Sequence, residues 1–262
     1  MIFLREITLG KTSKKSFPFN LPTIQNLDSL TFGSEVTFLV GENGSGKSTL
    51  IEAIALGAKL VGVGSENLED DESLFPSKKL SKELKFIFSQ RPLRGLFFRA
   101  EDCFGFTKRI KSEMRELEAF EKDFSEKLSG YGKELAVGTV RGQRVALEQK
   151  YGKNPHAKSH GETFLDLFQK RVVSKGLYLL DEPETPLSPL RQLALLSLLK
   201  EMISKGCQFI IATHSPILMA FPKARIYCFG ENEIRESSYE KVEHVSLTKA
   251  FLENPESFLS KL

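Results

Sequence analysis

The segment Gly41-Glu42-Asn43-Gly44-Ser45-Gly46-Lys47-Ser48, followed by Thr49, sets three glycines, a lysine and a hydroxyl at fixed spacing. Glycines let such a loop curl so that its backbone N–H groups converge on phosphate oxygens. A helix starting there adds the positive end of its dipole. Lys47 then offers a point charge to β- and γ-phosphates, and the Ser48 hydroxyl can ligate a divalent cation. The bland alternative is a glycine-rich turn with an incidental lysine. Context argues against it: the apolar run EVTFLV (35–40) precedes the loop, and Leu50, Ile51, Ile54 and Ala58 follow at helical spacing.

A second group with chemical potential lies far along the chain. Leu177-Tyr178-Leu179-Leu180 reads as a buried strand delivering Asp181, Glu182 and Pro183 at its C-terminal edge, where open α/β sheets bind ligands. Asp181 is suited to hold Mg²⁺, mostly through water. Glu182 is suited to orient or deprotonate a water attacking a phosphate. Alone, such a strand end would be an acidic turn closed by a proline; beside the glycine loop it reads as the other half of a phosphate site.

These residues need a scaffold of strands and helices in alternation. Residues 2–9 and 35–40 read as strands, with loops and turns around Pro18 and Pro22 between them. An acidic run, Pro76 and a lysine cluster make 62–82 an expected exposed loop. LKFIFS (84–89) and GLFFRA (95–100) look like a pair of strands. Ile110, Met114, Leu117, Phe120, Phe124 and Leu128 step by three or four, predicting a solvated amphipathic helix lying on a core over 107–128. Residues 130–161 are glycine-rich and basic: within 141–160, Arg141, Arg144, Lys150, Lys153 and Lys158 face only Glu148. Helices in ETFLDLFQKRVV and RQLALLSLLKEMISK alternate with the strands GLYLLDE and QFIIATHS. Short strand-like pieces and a final helix close the chain. The order argues α/β with a mostly parallel central sheet and an antiparallel β part. One domain, 1–262, is expected, with a helical subdomain inserted at roughly 104–170.

Composition adds bounds. The 262 residues are 40% hydrophobic and 27% charged, and the net charge of +3 is too small to demand a polyanionic partner. Cys103, Cys207 and Cys228 are widely spaced, so neither a disulfide framework nor a zinc site is expected. Arg5 and Glu6 interrupt the start, and no apolar run approaches the ~20 residues of a membrane span. A cytoplasmic protein without a transmembrane segment is expected.

In order along the chain, these motifs resemble those of the ABC-type ATPase superfamily, a branch of the P-loop NTPases. GENGSGKST looks like its Walker A motif, and LYLLDEPE its Walker B with the catalytic glutamate. Glu184-Thr185-Pro186-Leu187-Ser188 looks like the D-loop, and Ala212-Thr213-His214-Ser215-Pro216 the strand end bearing the switch histidine, with His214 expected to contact the γ-phosphate. Lys158-Ser159-His160-Gly161-Glu162 stands where the signature motif belongs. Ser159 and Gly161 match it, and His160 and Glu162 depart from it. Ser159 and Glu162 can equally form a capping box at the next helix. The Q-loop position falls to Glu101 by placement, with a role at the metal, or to Gln90 by residue type. Phe17 and Phe19 are candidates to stack on adenine.

The resemblance implies ATP and Mg²⁺ as ligands. It also implies a homodimer that sandwiches ATP between Lys47, Asp181 and Glu182 of one chain and the Ser159–Gly161 segment of the other. A Glu182 in place argues for hydrolysis over a non-hydrolysing switch, and the lack of an Asn-Lys-x-Asp motif argues against GTP. More narrowly, the texture is similar to small stand-alone ATPases related to those of recombination and chromosome maintenance. Two roles stay open. One is an ATPase in nucleic-acid maintenance or defence, motivated by the basic stretch. The other is the nucleotide-binding subunit of a membrane transporter, against which Glu101 and the altered signature speak.

Overall fold

A computed structural model describes residues 1–11, 14–63, 68–151 and 160–260, and only the backbone at 101, 103, 104, 106, 107, 150, 151 and 160. Strand β1 (Leu4–Leu9) leads through helix α1 (Pro22–Gln25) and strand β2 (Ser29–Thr31) to β3 (Val36–Gly41) and helix α2 (Lys47–Gly57). Strand β4 (Val61–Gly62), helix α3 (Phe75–Glu83) and strands β5 (Leu84–Phe88) and β6 (Gly95–Arg99) come next. Three helices follow: α4 (Ala100–Lys127), α5 (Gly130–Tyr151) and α6 (His160–Arg171). Then come β7 (Leu177–Asp181), α7 (Pro189–Ser204), β8 (Gln208–Ala212) and α8 (Pro216–Met219). Strands β9 (Arg225–Phe229) and β10 (Ile234–Ser237) precede helices α9 (Glu243–Glu253) and α10 (Pro255–Leu259).

The expected α/β class with a mostly parallel sheet is what the chain forms. Seven strands run in the order β10-β9-β3-β8-β7-β6-β4, and only the β10–β9 pair is antiparallel. A separate antiparallel sheet has the order β2-β1-β5. Parallel strands covered on both faces must be apolar on both. Leu39, Phe97, Leu179 and Ile210 accordingly point to one face, against α2 and the small sheet. Phe38, Phe98, Tyr178, Leu180, Phe209 and Ile211 point to the other, against Phe164 and Phe168 of α6 and Leu195 and Leu199 of α7. This arrangement carries β3, β7 and β8 side by side, so the glycine loop, Asp181-Glu182 and His214 leave the same edge of the sheet.

Several local expectations are corrected. The 84–89 and 95–100 strands do not pair with each other: β5 joins β1 in the small sheet and β6 joins β7 in the large one. The supposed loop at 62–82 contains α3, with a proline in its first turn and Leu80 fully buried. Pro76 starts that helix rather than breaking it, since the first-turn N–H groups lack partners anyway. The helix expected over 107–128 begins at Ala100, and only its first half lies on the core. Ile110 and Met114 are buried, whereas Phe120 and Leu128 are exposed. The glycine-rich 130–151 stretch is the helix α5, packed against α4. Arg141 Nε bonds Glu121 Oε1 at 2.7 Å, and Arg144 reaches both Glu121 and Glu148. Two of the cations that made the stretch look like a polyanion surface are thus spent within the helical hairpin. Among the described residues no helix is long and apolar enough to cross a membrane.

The small sheet is held to the large one by a buried amide. Gln208 opens β8 with no exposed surface, and its Oε1 accepts from the Phe3 and Leu4 N–H groups at 2.8 and 2.9 Å. Its Nε2 donates to the Leu4 carbonyl at 2.9 Å. Gln208→Leu would bury these three backbone groups without that partner, at ~1–3 kcal/mol per orphaned group, offset in part because the polar amide itself is no longer buried. A loss of about 2–4 kcal/mol is expected, which thermal melting should register as a fall of roughly 4–16 °C in a chain of this size. An unchanged Tm would show that β1 is held by its sheet ladder alone.

Candidate active site

The loop between β3 and α2 is shaped by its glycines and by contacts from α1. Gly46 has φ 98°, in the left-handed region, and a Cβ there would lie 3.2–3.3 Å from Leu21 and Thr23 atoms. Glycine is therefore favoured by conformation, and any side chain would also crowd Leu21 and Thr23. Thr23 Oγ1 donates to the Ser45 carbonyl at 2.6 Å, pinning the loop from below. Lys47 is nearly buried, and its ammonium donates to the carbonyls of Gly41 (2.7 Å) and Glu42 (2.8 Å). Burial pulls its pKa below the usual lysine value, against the nearby Glu182, Asp181, Glu42 and Glu184. The ammonium is thus folded back across the glycine loop, and the Ser45 hydroxyl is buried with no hydrogen-bond partner. Glu42, Asn43 and Gly44 are exposed at the tip, and Ser48 and Thr49 sit half-buried in the first turn of α2. A cavity of about 640 Å³ opens beside the loop, lined also by Leu21, Phe229, Arg235 and His244.

Opposite the loop, Ser48 Oγ donates to Asp181 Oδ1 at 3.3 Å. Burial first, and then the charge of Glu52, push the Asp181 carboxyl up to about 7. A carboxylate that is costly to ionise, with a hydroxyl and a second carboxylate beside it, is an oxygen-rich set that fits a hard divalent cation. Glu182 has φ 48°, a sparsely populated conformation for a residue with a side chain. Its N–H donates to the Ala212 carbonyl at 2.9 Å, so β8 holds this turn in place. The outcome is a carboxylate whose Oε1 lies 3.7 Å from His214 Nε2. That nitrogen is buried and has no hydrogen-bond partner. Burial, followed by Lys47, lowers the His214 pKa, which keeps the ring neutral at neutral pH.

Other expected residues are distributed unevenly around this centre. Ser159 lies outside the described residues. Gly161 is buried in the first turn of α6, where an added Cβ would come within 2.6 Å of the Pro186 carbonyl. Glu162 pairs with Arg191 at 2.6 Å, across to α7. Glu101 falls in the first turn of α4, just past β6, whose Arg99 is in register with Asp181. Gln90 is exposed after β5, at the end of the other sheet. Phe19 is core, which removes its ring from any base, whereas Phe17 is exposed.

The sequence reading passed over three residues that the structure brings in. Thr23 supports the loop. Glu184, read only as part of a turn, accepts from the His214 N–H at 2.6 Å, and its other carboxylate oxygen is buried without a partner. His244 of α9 approaches His214 from the far end of the chain. Only Glu184 had a local signal, a third carboxylate two residues after Glu182.

Comparison with known proteins agrees with this geometry. A family model described as "AAA domain" matches residues 15–90, and one described as "AAA domain, putative AbiEii toxin, Type IV TA system" matches 163–220. The two flank the helices α4 and α5. The chain is 25% identical over 234 residues to the energy-coupling factor transporter ATP-binding protein EcfA of Methanocaldococcus jannaschii, covering 86% of this chain and 76% of that one. It is 26% identical over 208 residues to the cytochrome c biogenesis ATP-binding export protein CcmA of Rhodopseudomonas palustris, covering 76% and 88%. A nucleotide-free ATP-binding cassette from an ABC transporter superposes with a TM-score of 0.54 at 16% identity, over 98% of this chain and 99% of that one. With glycine loop, paired carboxylates and histidine on one sheet edge, this chain carries AAA-type P-loop ATPase domains, and it is similar to ATP-binding proteins of ABC transporters.

Proposed function

We propose that the chain hydrolyses ATP between two copies of itself, each contributing half of each site. Lys47 and the loop N–H groups of 41–49 hold the β- and γ-phosphates, and the cavity beside them receives the rest of the nucleotide. Ser48 and Asp181 would hold Mg²⁺, and Glu101, by its place at the start of α4, is the further candidate for a role at the metal. The ion would supply positive charge that neutralises the phosphate oxygens. Glu182 takes the proton of the attacking water, and His214, a neutral N–H donor, contacts the γ-phosphate. The observation that carries this reading is the strained Glu182 turn, which aims its carboxylate at His214 beside the Ser48–Asp181 pair.

Two copies are invoked because the half-site is one-sided. Gly161 packs on Pro186 and Arg191 rather than on its own glycine loop, which suits a signature segment that serves the partner's nucleotide. Mixing inactive variants tests this. Ser159→Arg puts a cation at a helix N-terminus that should face a phosphate, and it opposes the helix dipole. Lys47→Ala empties the other half. A mixed dimer keeps one composite site with both residues wild type, so the mixture should recover ATPase activity that neither variant has alone. If it stays inactive, and Glu182→Gln is monomeric in saturating ATP, the shared-site reading is overturned.

For the process served, the favoured reading is a stand-alone ATPase in nucleic-acid maintenance or defence. It rests on the toxin-system description of the family matching 163–220 and on the remaining basic residues after Arg144. The transporter-subunit reading has the names of EcfA and CcmA in its favour. Co-purification from native cells separates them: nucleic acid supports the first, a membrane protein the second.

A further inference from the structure

Helix α9 sends His244 into the active site. Its Nε2 lies 3.3 Å from His214 Nδ1 and 3.6 Å from Glu42 Oε1, and the two rings meet edge to face with centroids 5.2 Å apart. His244 is mostly shielded, and its neighbour Val245 is buried in the core, so α9 is anchored where the ring is presented.

We propose that His244 is a positioning residue: its Nε2–H donates to His214 Nδ1, which fixes His214 as the tautomer carrying its proton on Nε2. Two neutral histidines can share the 3.3 Å contact in two ways. In both, the single in-plane lone pair or proton of His244 Nε2 is taken up by His214 Nδ1. If His214 donates from Nδ1, the lone pair on its Nε2 faces the Glu182 carboxylate at 3.7 Å. If His244 donates, His214 Nε2 carries the proton and Glu182 faces an N–H group. The second arrangement replaces a lone-pair repulsion with an attraction, and it is selected. The charged groups around the rings are Glu42, Glu182, Glu184 and Lys47. Glu184 adds the other constraint by holding the His214 backbone N–H at 2.6 Å. His214 is thus fixed at its main chain by Glu184 and in its ring by His244. Its free Nε2–H is turned to the place where a γ-phosphate would arrive.

This inference rests on the reading of His214 as the γ-phosphate contact, and the test separates the two. His244→Phe keeps a ring but loses the donor; kcat should fall about tenfold with the KM for ATP within about twofold, because the loss is confined to transition-state geometry. His244→Gln, whose amide N–H reaches a similar place, should recover kcat to within about threefold of wild type. In a His214→Ala background, His244→Phe should cost nothing further, the non-additivity of residues that act through one another. In the unsubstituted protein, ¹⁵N spectra should show His214 Nδ1 unprotonated and Nε2 protonated, with that preference lost in His244→Phe. The positioning role is overturned if His244→Phe is fully active while His214→Ala is impaired, if its defect persists undiminished in the His214→Ala background, or if His214 carries its proton on Nδ1. Wild-type turnover in His214→Ala removes the underlying reading, and the proposal with it.

Discussion

Glu182→Gln should bind ATP as tightly as the wild type yet turn it over at least roughly a hundredfold more slowly, the scale of losing a general base. The substitution keeps the shape of the side chain and leaves the backbone bond from Glu182 N–H to Ala212 intact, so the unusual turn at φ 48° persists. An amide oxygen can still face His214 Nε2 across the 3.7 Å gap, but an amide cannot take a proton from water. Since ATP enters and is not consumed, the variant should accumulate as an ATP-bound dimer, visible as a shift in size-exclusion elution when ATP is added. Rapid-quench measurement of phosphate release gives the rate. Turnover at the wild-type level would move the base elsewhere, and Glu184 would then be the next carboxylate to test, being within reach of the same histidine.

The places of the glycine loop and the paired carboxylates in the fold were legible because their signal is local. Gly41 to Ser48 are consecutive, and Asp181 and Glu182 end one apolar strand, so residue type and neighbours are enough. Strand β7 could be read because a parallel strand buried on both faces is apolar throughout. The helix α5 could not. Gly132, Gly138 and Gly142 each cost a helix about 1 kcal/mol relative to alanine. What outweighs them is packing on α4 and the Arg141 and Arg144 pairs to Glu121, 20 and 23 residues away. The same limit explains α3, where Leu80 is buried only once the chain has folded back over α2. His244 is the extreme case. A lone histidine in EHVSLTKAF carries no pattern, and its meaning comes from a ring that lies 30 positions earlier in sequence and 3.3 Å away in space.

Lys47→Ala should abolish measurable ATP binding without unfolding the protein. In the bound state the ammonium would exchange its two carbonyl partners, Gly41 and Glu42, for phosphate oxygens. Charge-assisted hydrogen bonds are worth about 1.5–3 kcal/mol each, so two of them amount to about 3–6 kcal/mol, or a factor of roughly 10²–10⁴ in Kd. The unliganded protein tells the other half of the story. Burial sets the folded pKa of Lys47 below its unfolded value, so the charged form is disfavoured by folding. For such a group the folded state binds fewer protons between the two pKa values, and stability rises with pH through that window. Below both values the full cost of the charge is present, and truncation removes it while giving up the two carbonyl contacts. The nucleotide-free variant should therefore melt no more than a few degrees from the wild type, in either direction. With ATP at a hundredfold excess over Kd, the wild type gains about 2.7 kcal/mol, and its Tm should climb by roughly 5–10 °C. The variant should show no rise. A variant that melts far lower without ATP would mean that Lys47 serves mainly to tie the loop together. One that keeps the ATP-induced rise would take the ammonium out of phosphate binding and leave that task to the loop N–H groups alone.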